Sequence, residues 1–437
     1  MTKLSFFGTN FKFSLIRNLI IGFIWWLVFK PGFFSGDSFA AVNMARSGDL
    51  DNSFTASWAI YVRIFSLFGH SISLLTLLNV SVLVYATTRA IFSLLPDKKA
   101  SIVSNLLTLT PLISGMGITL WHDIPMTSGV LLITAAFIQL AKNSQASKSI
   151  LIHSLIPGSV LLTFRPNGLP TLILFAVFFF AYKRKSSLVK PIAVSIVIAS
   201  LVTLTGSYLV IKQSPINSYF GQFWMQYDIS CFASTPEGKG FVEKNLPVAD
   251  TETWASSAAC SFIGNSKLTS EQINESTKYV PKAWLKLMLQ DPAFLLKTHL
   301  QRNEYVVPFV LGKPQLVRFL HSTIEFADKG IQWSNPAIAE KARVVMRIWN
   351  AARAVVAFSG LWLLILWVQV LLFKRKEWLI PAVMSLSLSL ILFVFAPIPD
   401  GRYSLYVLIC GEICLISILM NFWEKSRFND GKSKKNS

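Results

Sequence analysis

Residues 102–141 read IVSNLLTLTPLISGMGITLWHDIPMTSGVLLITAAFIQLA. Two uncharged runs, 102–121 and 124–141, are separated only by a turn holding Trp121, His122 and Asp123, with Pro125 just beyond it. A helix that crosses the hydrocarbon core of a bilayer needs about 20 predominantly apolar residues. Each run is close to that length, so the pair predicts two membrane spans joined by a tight polar turn.

The same reading applied outward finds further runs near 13–33, 71–95, 149–164, 167–182, 190–211, 353–373, 378–397 and 403–423. The expected fold is therefore an all-α polytopic membrane protein of about ten transmembrane helices. About seven lie in 1–211 and about three in 353–423. Composition agrees. Of 437 residues, 53% are apolar and 14% charged, with a mean hydropathy of +0.51. Soluble domains carry about a quarter charged residues. The first run has no clear small-x-small cleavage site and runs long for a signal peptide, so it is expected to be retained. Four cysteines are too few for a disulfide scaffold and have no zinc-type spacing.

The net charge of +19, from 41 Lys and Arg against 22 Asp and Glu, could indicate a nucleic-acid partner. Its placement argues against one. One set of span ends holds Lys3, Lys12, Arg17, Lys98, Lys99, Lys142, Lys148, Lys183, Arg184, Lys185, Lys190, Lys374, Arg375 and Lys376. The basic tail, 424–437, adds Lys425, Arg427, Lys432, Lys434 and Lys435. The short connections on the other side hold only Lys30, Arg46, Arg63, Arg165 and Arg402. Lys- and Arg-rich short loops stay in the cytoplasm. Both termini are thus expected inside a bacterial inner membrane, with the lysine-poor face toward the periplasm. Long loops cross largely regardless of charge, and 212–352 is expected as a mostly helical periplasmic domain. Within it, Asp291-Pro292 should divide two helices, because Pro suits a first helical turn. Cys231 and Cys260 would lie in an oxidising compartment and are read as a disulfide, the alternative being two unrelated thiols. His299, Arg302 and Glu304 read as a solvated helix face more readily than as a sugar site. Trp224 and Trp254 are candidates for stacking on sugars.

The polar residues that stand out sit on the lysine-poor side. Asp37 opens the first loop, 34–70, and His122 and Asp123 occupy the next turn. Arg165, Asn167 and Gly168 form a third turn, and Asp400, Arg402 and Tyr403 a fourth. Any one of these could be a turn former or a snorkelling arginine. Together, on a face otherwise nearly bare of charge, they read as a site, since ionisable groups at membrane depth are costly and functional by default. Arg suits phosphate, with a fixed fork of donors and a permanent charge. A carboxylate can serve as general base toward a hydroxyl or hold a metal.

Four motifs carry a resemblance to a known superfamily. They are Asp37 in the first loop; Trp121, Asp123 and Pro125; Arg165, Asn167 and Gly168; and Pro397, Arg402 and Tyr403. In this order they resemble the GT-C superfamily of polytopic glycosyltransferases that use polyprenyl-phosphate sugars. In length and layout the chain is similar to the serotype-converting O-antigen glucosyltransferases of that superfamily. The resemblance implies that Asp37 and Asp123 are catalytic and that Arg165 and Arg402 bind the donor phosphate. His122, Asn167, Asp400 and Tyr403 would support them. It implies a polyprenyl-phosphate (undecaprenyl-phosphate) sugar donor, a glycan acceptor such as O-antigen of lipopolysaccharide, and a divalent metal as an open question. One departure bears on that question. The family commonly has His-Pro before an amphipathic stretch, and here Ser57-Trp58 precedes the expected interfacial helix within 54–69. A polysaccharide polymerase or ligase, which would also use lipid-linked sugars, is the alternative. A lipid-linked sugar transporter is the third reading.

Overall fold

The computed structural model describes residues 9–48, 54–142, 148–182, 187–213, 223–246, 251–256, 260, 275–276, 278–307, 331–396 and 400–433. Pro397 of the fourth motif lies outside them, as do Lys183, Arg184 and Lys185. Among the described residues no β-strand forms, and one isolated bridge pairs Phe33 with Thr119. The protein is all-α and polytopic. Among the described residues, six helices are long and apolar enough to cross a membrane: Phe11–Phe29, Ile72–Leu94, Asp123–Lys142, Val189–Leu209, Lys376–Phe395 and Gly401–Glu424. Shorter apolar helices, Ala56–Phe65, Lys148–Leu162, Gly168–Ala181 and Ser359–Leu371, accompany them.

Helix Asp123–Lys142 is the axis of the bundle. It is apolar all round and buried on nearly every side, as such a helix must be. Helices Phe11–Phe29 and Val189–Leu209 instead expose Ile20, Phe23, Ile24 and Leu27, and Val197, Leu201 and Leu204, which is the pattern of a lipid-facing surface. A side chain at Gly129 on the axis would meet the Leu162 nitrogen at 2.6 Å and the Gly158 oxygen at 2.7 Å. Small residues allow backbones this close, and here they draw the helix that ends at Leu162 against the one that begins at Asp123.

Two expected spans are interrupted. The run 102–121 does not form one helix. Thr110 leaves helical geometry (φ −78°, ψ 153°) after helix Asp97–Leu109, because the ring of Pro111 disfavours the α region for its predecessor. One wide turn, Pro111–Gly115, follows. After a helical 116–117 and a turn at Ile118, 119–121 run extended beside the first loop, with the Phe33 nitrogen donating to Ile118 O (3.2 Å) and the Leu120 nitrogen to Phe33 O (3.0 Å). The run 353–373 is likewise split into Arg353–Val356 and Ser359–Leu371. The Trp362 indole N–H donates to Val356 O at 3.0 Å, meeting a carbonyl opened by the break.

The lysine-bearing ends gather. Lys99 donates to Asn421 at 2.6 Å and pairs with Glu424 at 2.7 Å, Arg17 reaches Ser101 at 2.7 Å, and Lys142 reaches Ser93 O at 2.7 Å. At the other end a small separate core forms from Ile229, Phe232, Phe241, Val242, Trp254, Val280, Leu287 and Leu295. Asp291 does divide helices Val280–Gln290 and Pro292–Arg302, its side chain accepting from the Phe294 nitrogen at 2.9 Å. Cys231 and Cys260 form a disulfide.

Three expectations for this lobe are corrected. Trp254 is wholly buried in its core, and Trp224 is edge-on to Trp284 (4.7 Å) and Phe395 (4.9 Å), so neither presents a free face to a sugar. A core this small must recruit its largest apolar side chains. His299 and Arg302 do not form a solvated face. Both are buried around Asp228.

Candidate active site

The four polar turns converge at the end of the bundle opposite the lysine-bearing ends. The first loop is stitched to two of the others. Ser38 donates to Leu120 O at 2.7 Å, and the Trp121 indole donates to Ser35 Oγ at 2.8 Å. Thr55 donates to Phe164 O at 2.9 Å and Ser57 to Thr163 O at 2.8 Å, while Trp58 packs on Phe164 and Tyr61. Ser57 and Trp58, the point of departure from the superfamily pattern, thus tie this loop to the turn that carries Arg165.

Each functional side chain is placed by local geometry. Asp37 lies in the first turn of helix Gly36–Ser47, where the helix dipole favours a carboxylate. Asp123 opens the axial helix. Gly168 closes the third turn, and a Cβ there would lie 2.0 Å from Leu162 O, so no larger residue fits. The Asp400 side chain accepts from the Arg402 nitrogen at 3.1 Å and starts the short helix Gly401–Ser404.

Arg402 is the hub. Its Nη2 donates to Asp37 Oδ2 at 2.7 Å, and its Nε lies 3.0 Å from Asp400 Oδ2 and 3.7 Å from Asp123 Oδ2. The guanidinium rests 4.5 Å from the Trp121 ring centre and 5.2 Å from that of Tyr403. Arg165 donates to Asp123 Oδ1, and its guanidinium lies 4.0 Å from the Tyr403 ring centre. Stacking on an aromatic face holds a guanidinium in place without consuming its donors. The cluster therefore brings together Asp37, Asp123, Asp400, Arg165, Arg402 and Tyr403.

The carboxylates differ in exposure, and the difference decides their chemistry. The Asp37 side chain is 45% exposed, against 2% for Asp123 and 5% for Asp400. Burial alone would raise the Asp37 carboxyl, but the Arg402 charge and hydrogen bond outweigh it and keep it below its ordinary value. Asp37 is thus ionised and open on one side, while Asp123 is sealed against Arg165. Burial lifts Asp400 to about 6 in spite of Arg402. His122 packs between Phe54 (5.7 Å) and Trp58 (6.1 Å), and burial lowers it to about 4, so it is neutral near pH 7. Three carboxylates face two guanidiniums, and the cluster carries about one net negative charge when Asp400 is ionised.

Asn167 stands apart from these ion pairs. Its backbone carbonyl accepts from the Thr171 nitrogen (3.1 Å) and hydroxyl (2.7 Å), which shapes the Arg165 turn. Each carboxylate of the cluster faces a guanidinium, and no group of three or more His, Cys, Asp or Glu side chains among the described residues is arranged to hold a metal. The residues present do not fit a resident divalent cation.

One neighbour of the cluster bears no signal in the sequence. Tyr305, in the short helix Glu304–Val306, is wholly buried, and the charges of Asp400, Arg165 and Asp123 act on its phenol. A lone uncharged Tyr after an amphipathic helix gives no reason to single it out.

Fold and site define an all-α polytopic membrane protein with a carboxylate–guanidinium cluster at one membrane face. No protein-family model matches the chain, and no curated protein sequence does. Among solved structures it is similar to ArnT from Cupriavidus metallidurans bound to undecaprenyl phosphate, at 14% identity over 92% of this chain and 77% of that one, with a TM-score of 0.40. It is also similar to the archaeal oligosaccharyltransferase AglB from Archaeoglobus fulgidus, in complex with an inhibitory peptide and a dolichol-phosphate. There the identity is 11% over 97% of this chain and 52% of that one, with a TM-score of 0.44. The chain spans about half the length of AglB. At these overlaps the likeness carries no weight for the chemistry, which follows from the side chains.

Proposed function

We propose that the chain is a glycosyltransferase of the GT-C kind, moving a hexose from a polyprenyl phosphate to a hydroxyl of a glycan. The single observation that carries this reading is Asp37, a half-exposed ionised carboxylate held beside two stacked arginines. In the reaction the acceptor hydroxyl loses its proton to Asp37 as its oxygen attacks the anomeric carbon. The bond from that carbon to the phosphate oxygen breaks, and the electron pair leaves with the phosphate. Arg165 and Arg402 stabilise the departing charge, which is the usual source of the largest rate gain. Direct displacement inverts the anomeric centre. Asp123 and Asp400 hold the two guanidiniums and keep their unused donors aimed at the substrate.

The finer reading is a hexose, glucose above all, added to O-antigen on the periplasmic side of a bacterial inner membrane, with both termini cytoplasmic. The lysine count of the span ends supports that sidedness, and the resemblance to serotype-converting enzymes supports the acceptor. Mass spectrometry of surface glycan from cells with and without this gene tests it. One added hexose per repeat is the expected product. Joining of whole repeats would replace this reading with a polymerase or ligase, and an unaltered glycan would refute the acceptor.

A further inference from the structure

The outer lobe contributes a residue to the membrane-face site. Helix Pro292–Arg302 is pinned to the penultimate span. His299 Nδ1 lies 2.9 Å from Phe393 O, and the Asn303 amide donates to Phe393 O and Ala396 O, each at 3.2 Å. The last carbonyls of a helix have no partner within it, so the lobe supplies them. From the far side, Asp228 accepts from Trp284 (2.8 Å) and Arg302 (3.0 Å) and lies 3.0 Å from His299 Nε2. Just beyond this staple comes Tyr305, whose carbonyl is held by the Ser359 hydroxyl at 3.0 Å. The backbone around Tyr305 is thus fixed on both sides, and its side chain is wholly buried.

Its hydroxyl nevertheless has no hydrogen-bond partner among the described residues. Buried polar groups are almost always paired, so an orphan beside a charged cluster points to a ligand. Tyr406 shares a hydrogen bond with Thr134 (2.9 Å), and Tyr403 gives its ring face to both arginines. Each arginine gives part of its donor fork to a carboxylate, so a neutral donor would add to what the remaining N–H groups offer an arriving anion. Burial, followed by Tyr403 and Asp400, holds the Tyr305 proton well above the ordinary phenol range, and the group stays O–H.

We propose that the Tyr305 hydroxyl completes the site as its neutral donor, hydrogen-bonding a phosphate oxygen of the lipid-linked substrate. This rests on the transferase reading above, and the test separates the two. In lipid nanodiscs, polyprenyl phosphate and the parent polyprenol are compared as ligands of wild type and Tyr305→Phe. A hydrogen bond to a charged group corresponds to about a 10- to 100-fold weaker affinity for polyprenyl phosphate in Tyr305→Phe, with polyprenol binding unchanged. Equal phosphate affinity in a folded variant would overturn the proposal. As a second measurement, 3-fluorotyrosine at position 305 should shift its fluorine resonance with polyprenyl phosphate and not with polyprenol; an unmoved resonance overturns it too. Wild type that does not distinguish the two lipids overturns the phosphate site as a whole. Wild type that binds the phosphate yet transfers no sugar sinks only the transferase reading, and the binding comparison still decides on Tyr305.

Discussion

Two buried ionic clusters among the described residues are made from the same residue types, and they do different things. Around Asp228, one carboxylate meets Arg302, His299 and Trp284, and its side chain and that of Arg302 are wholly buried. One carboxylate is matched there by one guanidinium, so no surplus charge remains. At the membrane face, three carboxylates meet two guanidiniums, and one of the three, Asp37, stays open to solvent. The first arrangement is a staple that pins the lobe to the end of a span. The second has surplus charge and an open edge, which is what a reacting substrate requires. The imbalance, not the presence of ions, marks the site.

The largest expected effect that tests this contrast is on activity. Asp37→Asn should lower glycosyl transfer by about 10²- to 10⁴-fold, the range for loss of a positioned general base. Because the side chain is half-exposed, the thermal midpoint should hardly move. Full activity of Asp37→Asn would remove it as the base. Next comes Asp228→Ala, which removes the carboxylate that faces Arg302 in a dry interior. Breaking a buried pair on one side costs about 3–5 kcal/mol. A large fall in unfolding temperature in detergent is expected, and an unchanged one would refute the staple.

Arg165→Ala should have a smaller effect than either, raising the donor KM by roughly tenfold, as for loss of one charge-assisted hydrogen bond. The same substitution leaves buried Asp123 with only the 3.7 Å contact to Arg402, so Arg165→Lys should recover part of the stability while kinetics stay impaired, because Lys cannot offer a fork. Recovery of both together would reduce Arg165 to a structural role.

The smallest effect is a pH dependence. Asp400 is lifted to about 6, above the usual carboxylate value near 4. Between those values the folded protein binds a proton that the unfolded chain does not, so Asp400 favours the fold more as pH falls through that window. Protonation also removes one negative charge beside Arg402, and donor affinity should rise severalfold from pH 7 to 5.5. In Asp400→Asn, which keeps the oxygen that caps the Arg402 nitrogen, both trends should be flat. A variant that retains the wild-type profile would assign the titration elsewhere.

Much of the fold was legible from single residues. Apolar runs of the right length predicted helices such as Asp123–Lys142, and Asp291-Pro292 predicted the break between two helices of the lobe. Thr110-Pro111 was equally visible, yet the apolar run 102–121 concealed that it breaks into a wide turn at Pro111–Gly115 and ends in extended chain at 119–121. Hydropathy measures burial, and a buried extended segment is as apolar as a span. His299 and Arg302 were misjudged as solvated for a related reason. Their partner Asp228 lies 71 and 74 positions away, and no local pattern reveals a pairing made across the lobe.

By itself the sequence determined the class and the cast: an all-α membrane bundle, with a few charges at the turns of one face. These follow from local physics, the length that spans a bilayer and the cost of charge within it. Only the tertiary structure decided the roles. It set Asp37 open and Asp123 sealed, stacked Arg165 on Tyr403 and Arg402 on Trp121, and brought Tyr305 to the cluster from the outer lobe. Burial and charge pairing depend on what lies across the bundle, and those neighbours, Asp37 and Arg402 above all, are separated by hundreds of residues of chain.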